Sequence, residues 1–503
     1  MSAATVSLND KREHWLVRLS RRVFSFPVAL SCMLVVLAAL TVHSRFDDPD
    51  MWWHLKSGEV ISTTHSVPTT DIFAYTTNHH ASVPHEWLSQ VSIYGAYKAG
   101  GNSGIMLWLC IFTSALLIAG YVLCSLYSGN AKVSFAGALL VWLFSTAGLA
   151  VRPHMVGYLF LIAELILIHL GRTRSPRWFF ALPPLFALWI NCHGSFFLGM
   201  IVAGIYIFCS FFHFQVGSLV APQWDPRTRR MLIGAVVLSI PALFINPAGV
   251  RQVLYPIDTL MHQSIGLSQV QEWMPLQLTS ERGMALLAVL ASLLLIEIVQ
   301  HSEIYLHELL LIALCTWSAV SHARLVFAFG IIVAPILSRL LSNAWDNYDL
   351  KQDRPLPNAV MILASLLICF FAFPGKHNLA DQVNESSPVK AVAFIKDNHL
   401  SGNMLNDYVL GGYLIWALPE HPVFLDGRSD VFEWSGVLAK FGNWATLQAN
   451  PKDLLDEYNI QFCVLTSQSP MVNVLPLLLD WKLAYADNVA VVFVRRPPAA
   501  QSK

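Results

Sequence analysis

Charged side chains are scarce in this sequence. Of 503 residues only 13% are Asp, Glu, Lys or Arg, whereas 55% are hydrophobic. A soluble globular chain carries about 25% charged residues, so this composition excludes an ordinary soluble protein and indicates an integral membrane protein. The formal net charge is +0. Because nucleic-acid binding needs an excess of basic residues, we expect no nucleic-acid partner.

Closely spaced pairs of cysteines are missing as well. The chain has 8 cysteines but no Cys-x-x-Cys motif, so neither a disulfide framework nor a thiolate metal site is indicated. There is no obvious internal repeat, which argues against a transporter built from inverted repeats. Long apolar runs are abundant instead.

About eleven of these runs have roughly the length that a membrane-spanning helix needs. The N-terminal segment, residues 1–24, is basic and lacks the features of a cleaved signal peptide. By the positive-inside rule it stays in the cytoplasm, and later basic clusters agree with that orientation. We therefore expect a multi-pass protein of the bacterial cytoplasmic membrane, surrounded by membrane lipids. The runs lie near 25–43, 104–126, 132–150, 154–170, 178–191, 195–213, 231–247, 284–300, 304–320, 325–341 and 358–374.

Three regions follow from this map: the basic N-terminus, a transmembrane domain over 25–374, and an α/β domain over 375–503 on the periplasmic or extracellular side. The first outer loop, 44–103, is long. Apolar residues at helical spacing from His85 to Tyr97 predict an amphipathic helix along the membrane interface.

The tail after residue 375 alternates short helical and extended patterns. This alternation predicts a small α/β domain with a partly parallel sheet. Helices are expected at 388–398 and 451–458, and strands at 413–416, 423–425, 462–465 and 488–494.

Carboxylates cluster directly after the first apolar run, at Asp47, Asp48 and Asp50. Charge beside hydrocarbon is costly and usually functional. Asp48 and Asp50 could bind a divalent cation such as Mg²⁺ or Mn²⁺, or one could act as a general base. A solvated loop or a helix N-cap is the structural alternative. Glu86 faces the same compartment and is a further candidate.

Cations stand at several outer helix ends. Arg152, His193 and Arg324 suit a phosphate or diphosphate group. The structural alternative for an Arg is snorkelling to lipid headgroups, and His193 could instead bind a metal. Glu272 lies in a long outer loop that could close over a substrate.

In the tail, Gly411 and Gly412 permit close backbone approach. Asp426 and Arg428 lie in a turn after a predicted strand. The sequence leaves open whether these two residues bind a substrate or form a structural ion pair.

The arrangement resembles the GT-C superfamily of polytopic glycosyltransferases. The stretch from Phe46 to Trp53 resembles the Asp-Pro-aromatic loop of oligosaccharyltransferase catalytic subunits, and 84–100 resembles protein O-mannosyltransferases and aminoarabinose transferases. The segments 48–58, 189–194 and 424–428 look like a group of uncharacterised bacterial membrane proteins of this type. The tail lacks the Trp-Trp-Asp motif of oligosaccharyltransferases, which argues against transfer to a peptide Asn.

The resemblance implies an inverting glycosyltransferase. It implies a sugar donor linked to polyprenyl phosphate or diphosphate, and a glycan, lipid or protein acceptor. Asp48 or Asp50 would deprotonate or orient the acceptor, and Arg152, His193 and Arg324 would hold the lipid phosphate. Glu86, Glu272, Asp426 and Arg428 complete the expected substrate site. A transporter or a non-catalytic component of glycoconjugate export is the alternative; Glu164 and Glu297 are the acidic residues inside spans.

Overall fold

The computed structural model describes residues 19–77, 79–263, 265, 273–349 and 352–496. Each of the eleven predicted apolar runs coincides with a helix. Within the described residues, seven helices are long and apolar enough to cross a bilayer; the number eleven stays a prediction. The helices up to residue 372 are α1 (Phe26–Val42), α2 (Met51–Thr64), α3 (Trp87–Ser128), α4 (Ala131–Ser145), α5 (His154–Thr173), α6 (Leu182–Cys192), α7 (Phe196–Cys209), α8 (Pro226–Ala242), α9 (Val250–His262), α10 (Glu281–Gln300), α11 (Leu306–Ser321), α12 (Val326–Leu340) and α13 (Pro355–Ala372).

Helix α12 lies at the centre of the bundle, and nearly all its side chains are buried. Small residues allow its neighbours to approach. A Cβ on Gly330 would lie 2.6 Å from Cβ of Phe144 in α4, and one on Gly137 would lie 2.4 Å from Oγ of Ser338 in α12. Such close contact supplies the dispersion energy that holds helices together in lipid, where the hydrophobic effect between helices is absent.

The first outer loop contains helix α2, which the sequence did not predict. Gly58 of α2 packs on α3, since a Cβ there would lie 2.2 Å from the carbonyl oxygen of Gln90. The predicted helix from His85 to Tyr97 is present as the first part of α3. Its non-helical backbone at Gly100 and Gly101 separates this part from the apolar part, and the positive φ of 58° at Gly101 favours glycine.

On the side predicted to be cytoplasmic, β1 (Phe214–Val216), β2 (Leu219–Ala221) and β3 (Ile304–Tyr305) form a small sheet. After α13, α14 (Lys376–Ser386) buries Leu379 and Val383 in the core of the transmembrane helices. The separate core of the tail begins at Ala391.

The tail sheet has the order β4-β5-β7-β6, with β4 and β5 parallel and the other pairs antiparallel. The partly parallel sheet, the strands near 462–465 and 488–494 and both predicted helices are present. The elements are α15 (Val389–Asp397), β4 (Asn403–Asn406), α16 (Gly411–Ala417), α17 (Ser429–Trp434), α18 (Val437–Ala445), α19 (Pro451–Glu457), β5 (Ile460–Thr466), α20 (Met471–Val474), β6 (Trp481–Ala486) and β7 (Ala490–Arg495).

Two predicted strands are wrong. Residues 413–416 lie in helix α16, because Tyr413 and Trp416, three positions apart, both pack their rings on Trp52 of α2. Residues 423–425 make a single parallel bridge from Val423 to Ala74 of the first outer loop instead of a strand.

That bridge is part of a junction between the loop and the tail. The amide of Val423 donates to the carbonyl of Phe73 at 3.0 Å, and the Thr76 hydroxyl donates to the carbonyl of Phe424 at 2.6 Å. The Tyr75 hydroxyl donates to the carbonyl of Met404 in β4 at 3.0 Å. The first outer loop therefore packs against the tail domain through backbone as well as side chains.

Candidate active site

Asp48 and Asp50 are brought together by one arginine. Nε of Arg152, in the turn before α5, lies 2.6 Å from Oδ2 of Asp48, and its Nη1 lies 3.0 Å from Oδ2 of Asp50. The amide of Asp50 donates to Oδ1 of Asp48 at 2.8 Å. Burial raises the pKa of Asp48, and Arg152 opposes that effect. The two carboxylates and the arginine thus form one compact charged group.

The two carboxylates are not equivalent. Asp50 stands directly before α2, where the partial positive charge of a helix N-terminus favours an anion. Among the described side chains, Asp50 lines the large cavity beside this group and Asp48 does not. Asp50 therefore borders the cavity, whereas Asp48 lies behind it and holds Arg152.

The cavity has a volume of about 560 Å³. Its lining includes the charged side chains of Asp50, Arg152 and Arg324. A second part of the lining, the apolar branch, consists of side chains from α7 and α11. A small-molecule site of this size typically combines such an apolar wall with a few polar groups. The branch is lined by Phe197, Leu198, Ile201, Leu314 and Trp317.

Glu86 stands among imidazoles in the same cavity. Its carboxyl oxygens lie 3.8 Å from Nδ1 of His54, 3.6 Å from Nε2 of His85 and 3.6 Å from Nε2 of His193. Burial would raise the pKa of Glu86, but the three histidines, His85 foremost, hold it below its usual range. Glu86 is therefore ionised at neutral pH.

The histidines differ in charge. Burial lowers the pKa of His54 to about 4 and that of His193 well below 6.5, although Glu86 acts in the opposite direction on both. For His85 the Glu86 carboxylate outweighs burial and the pKa is raised. His193 was expected to bind a phosphate as a cation; its lowered pKa makes it a neutral hydrogen-bonding group, held by Ser195 at 2.9 Å.

Arg324 lines the cavity from the turn before α12, and its guanidinium lies 5.2 Å from the ring centroid of Trp273. Cation–π contact of this kind helps to orient the guanidinium. Nδ1 of the neighbouring His322 donates a hydrogen bond to the carbonyl oxygen of Trp273, 2.8 Å away. Glu272, the other candidate from this loop, lies outside the described residues.

Asp426 and Arg428 form an ion pair inside the protein. Arg428 donates from Nε and Nη2 to Asp426 at 2.8 and 2.5 Å, and from Nη1 to Asp71 of the first outer loop at 2.6 Å. Both carboxylates are buried, and Arg428 reaches the cavity wall. The structural ion pair, one of the two roles that the sequence left open, is present, and substrate binding by these two residues stays a prediction.

Sequence reasoning missed several polar residues of the site. His85 stacks on Tyr255 with ring centroids 4.1 Å apart, and the Tyr255 hydroxyl donates to Asp430 at 3.2 Å. Asp71 belongs to the ion pair above. The signal that could have found them is their predicted compartment, because all lie in outer loops or in the tail.

The arrangement of donor side chains determines whether a metal ion could bind. Among the described residues, no group of three or more His, Cys, Asp or Glu side chains is arranged to hold a metal ion. Arg152 already contacts both Asp48 and Asp50, so these two carboxylates do not fit a divalent cation in this arrangement.

Comparison with known proteins gives a match at the level of fold. No family model matches the sequence, and no curated protein is similar in sequence. The oligosaccharyltransferase AglB of Archaeoglobus fulgidus, in complex with an inhibitory peptide and a dolichol-phosphate, aligns with a TM-score of 0.53 at 10% identity. That alignment covers 87% of this chain and 69% of AglB.

The second similar structure is ArnT of Cupriavidus metallidurans bound to undecaprenyl phosphate. It aligns with a TM-score of 0.56 at 12% identity, over 92% of this chain and 97% of ArnT. Both proteins are GT-C members. The chain therefore has the GT-C fold, and the predicted fold class, a helical membrane domain with a small C-terminal α/β domain, is confirmed.

Proposed function

We propose that this protein is a glycosyltransferase that moves a sugar from a polyprenyl-phosphate or polyprenyl-diphosphate donor to an acceptor hydroxyl on the outer face of the cytoplasmic membrane. The observation that carries the proposal is the cavity, whose lining combines Asp50, Arg152 and Arg324 with the apolar side chains of α7 and α11. A lipid-linked sugar has the same division into an anionic head and an apolar chain.

The donor phosphate is assigned to Arg324. Its guanidinium faces the cavity beside Trp273, and a guanidinium matches the geometry of phosphate oxygens. The polyprenyl chain would follow the apolar branch between α7 and α11. Two proteins of the same fold support this choice of ligand, since AglB was solved with a dolichol-phosphate and ArnT with undecaprenyl phosphate.

Asp50 is assigned as the general base. Its carboxylate would take the proton of the acceptor hydroxyl as that oxygen forms a bond to the anomeric carbon of the sugar. The bond from this carbon to the phosphate oxygen breaks, and its electron pair leaves with the phosphate. Because the acceptor oxygen attacks from the side opposite the departing phosphate, the configuration at the anomeric carbon is inverted. Arg324 would stabilise the charge that develops on the departing phosphate.

Arg152 and Asp48 have supporting roles in this mechanism. Asp48 accepts from Arg152 and from the amide of Asp50, which fixes the direction of the Asp50 carboxylate. Glu86, with its neighbours His85 and His193, is assigned to the hydroxyl groups of the sugar or acceptor. A divalent cation at Asp48 and Asp50 stays a prediction that the contacts of Arg152 do not favour.

Donor binding is the first test. Native mass spectrometry of the purified protein with a polyprenyl phosphate should show binding that is selective over an anionic phospholipid. Arg324→Ala should weaken this binding by at least tenfold, because one charge-assisted contact contributes about 1.5–3 kcal/mol.

The matched control is Arg251→Ala, which removes an exposed arginine from α9 and should leave binding unchanged. Equal binding of polyprenyl phosphate and bulk anionic lipid would contradict the donor site. That outcome would favour the alternative function, a transporter or a non-catalytic component of glycoconjugate export.

A further inference from the structure

The tail domain directly contacts the side chain of Asp50. A Cβ on Gly427 would lie only 1.8 Å from Oδ1 of Asp50 and 2.8 Å from its Cγ. Non-bonded atoms cannot approach so closely, so any larger residue at this position would displace the carboxylate. Among the described residues Gly427 is absent from those with positive φ, so glycine is needed here for space and not for its backbone freedom.

Pro49, the residue before Asp50 in the first outer loop, makes a second close contact with the tail. A Cβ on Gly412, at the start of α16, would lie 2.3 Å from the carbonyl oxygen of Pro49. Two consecutive residues of the loop, Pro49 and Asp50, thus rest on two glycines of the tail. Neither contact involves a side chain from the tail.

The segment that carries Gly427 is itself held from both sides. The Tyr408 hydroxyl donates to the carbonyl oxygen of Gly427 at 2.8 Å. The next residue, Arg428, joins Asp426 of the tail to Asp71 of the first outer loop. Arg428 also lies 5.1 Å from the ring centroid of Phe73 in that loop.

Asp71 is fixed in turn by its own loop. It accepts from the amides of Phe73 and Ala74 at 3.1 and 3.2 Å and from the Thr77 hydroxyl at 2.8 Å. A rigid path therefore runs from the first outer loop through Arg428 to Gly427 and back to Asp50. Lysine could not replace Arg428 in this path, because an ammonium lacks the planar fork that serves two carboxylates at once.

We propose that the tail segment Asp426–Gly427–Arg428 positions the Asp50 carboxylate, with Gly427 as the positioning residue and Arg428 as the clamp that holds it against the loop. The proposal rests on the function assigned above to Asp50. It makes the tail domain a part of the active site for the chemical step, distinct from any role in recognising the acceptor.

The test is Gly427→Ala. We expect kcat for sugar transfer to fall by about 100-fold, the effect typical of a displacement of about 1 Å in an active site, while the KM for donor and the binding of polyprenyl phosphate stay as in the wild type. The matched control is Gly95→Ala in α3, where a Cβ meets nothing within 4 Å. Wild-type kcat in Gly427→Ala would overturn the proposal.

A second comparison separates positioning from loss of folding. If Gly427 acts through Asp50, then Gly427→Ala should have no further effect on the residual kcat of Asp50→Asn, because the two changes remove the same contribution. Additive losses would overturn the proposal. Arg428→Lys, which keeps the charge, should lower kcat in the same way. Combined with Asp50→Asn, it should likewise cause no further fall in the residual kcat.

A readout that does not depend on activity keeps this inference distinct from the proposed function. Amide hydrogen exchange over residues 48–54 should rise in Gly427→Ala and in Arg428→Lys, and should not change in Gly95→Ala. If hydrogen exchange rises in these variants but the wild-type protein shows no transfer activity, the glycosyltransferase assignment is refuted, whereas the contact between Gly427 and Asp50 is still supported. An active wild type with unchanged exchange in both variants would refute the positioning.

Discussion

Replacing Arg152 by Gln would leave two carboxylates of one loop without the cation that joins them. Arg152, Asp48 and Asp50 have side chains that are 16, 9 and 18% exposed, so water would compensate only a small part of the loss. Each carboxylate loses a charge-assisted hydrogen bond of about 1.5–3 kcal/mol. The sum, about 3–6 kcal/mol, agrees with the cost of about 3–5 kcal/mol for breaking a buried ion pair by removing one partner.

We therefore expect Arg152→Gln to lower the free energy of unfolding by about 3–5 kcal/mol, as measured by denaturant titration of the protein in mixed micelles. Most of this loss should be recovered in the triple variant Arg152→Gln, Asp48→Asn, Asp50→Asn, because the uncompensated charges are then gone. The control is Arg251→Gln, an exposed arginine. A stability of Arg152→Gln equal to that of the wild type, or no recovery in the triple variant, would refute the reasoning.

Three further predictions concern the two carboxylates, pH and metal ions. Asp50→Asn should lower kcat by about 10²–10⁴, the contribution of a general base, with polyprenyl-phosphate binding retained. Asp48→Asn should keep measurable transfer, and the opposite order would assign the base to Asp48. His54 has its pKa lowered from 6.5 to about 4 by burial, so the unfolded chain binds more protons between these values. The free energy of unfolding should then fall by up to about 3 kcal/mol as the pH drops from 6.5 to 4. The fall should be smaller in His54→Gln, whereas the exposed His213→Gln should keep the full fall; an unchanged pH dependence in His54→Gln would contradict this. Finally, transfer activity should survive EDTA, because Arg152 already contacts the carboxylate oxygens of Asp48 and Asp50 that a cation would need. Activity that EDTA abolishes and Mg²⁺ or Mn²⁺ restores would instead support a cation at these carboxylates.

The membrane helices could be predicted because their signal is long and local. Each apolar run coincides with a helix, since an uninterrupted stretch such as that in α1 has no other stable structure in lipid. The loop carboxylates were also recognisable, because charge placed directly after such a run is unusual in any chain.

The tail was harder to predict for a physical reason. The run from Tyr413 to Trp416 is rich in aromatic and β-branched residues and reads as a strand, yet packing against Trp52 of α2 makes it helical. Tertiary contact overrides local preference here. The contacts between Gly427 and Asp50, and between Arg428 and Asp71, join distant parts of the chain, and no local pattern in one sequence indicates them.

The contact between Asp50 and Gly427 also has a consequence for how the protein matures. Several hundred residues separate Asp50 from Gly427, so at about 5–20 residues per second tens of seconds of translation pass between them. All the membrane helices leave the ribosome before the contact can form. A chain that stops short of residue 427 could insert into the membrane, but its first outer loop would lack the part of the tail domain that it packs against. Synthesis beyond residue 427 would then be required before the Asp50 carboxylate is held in position.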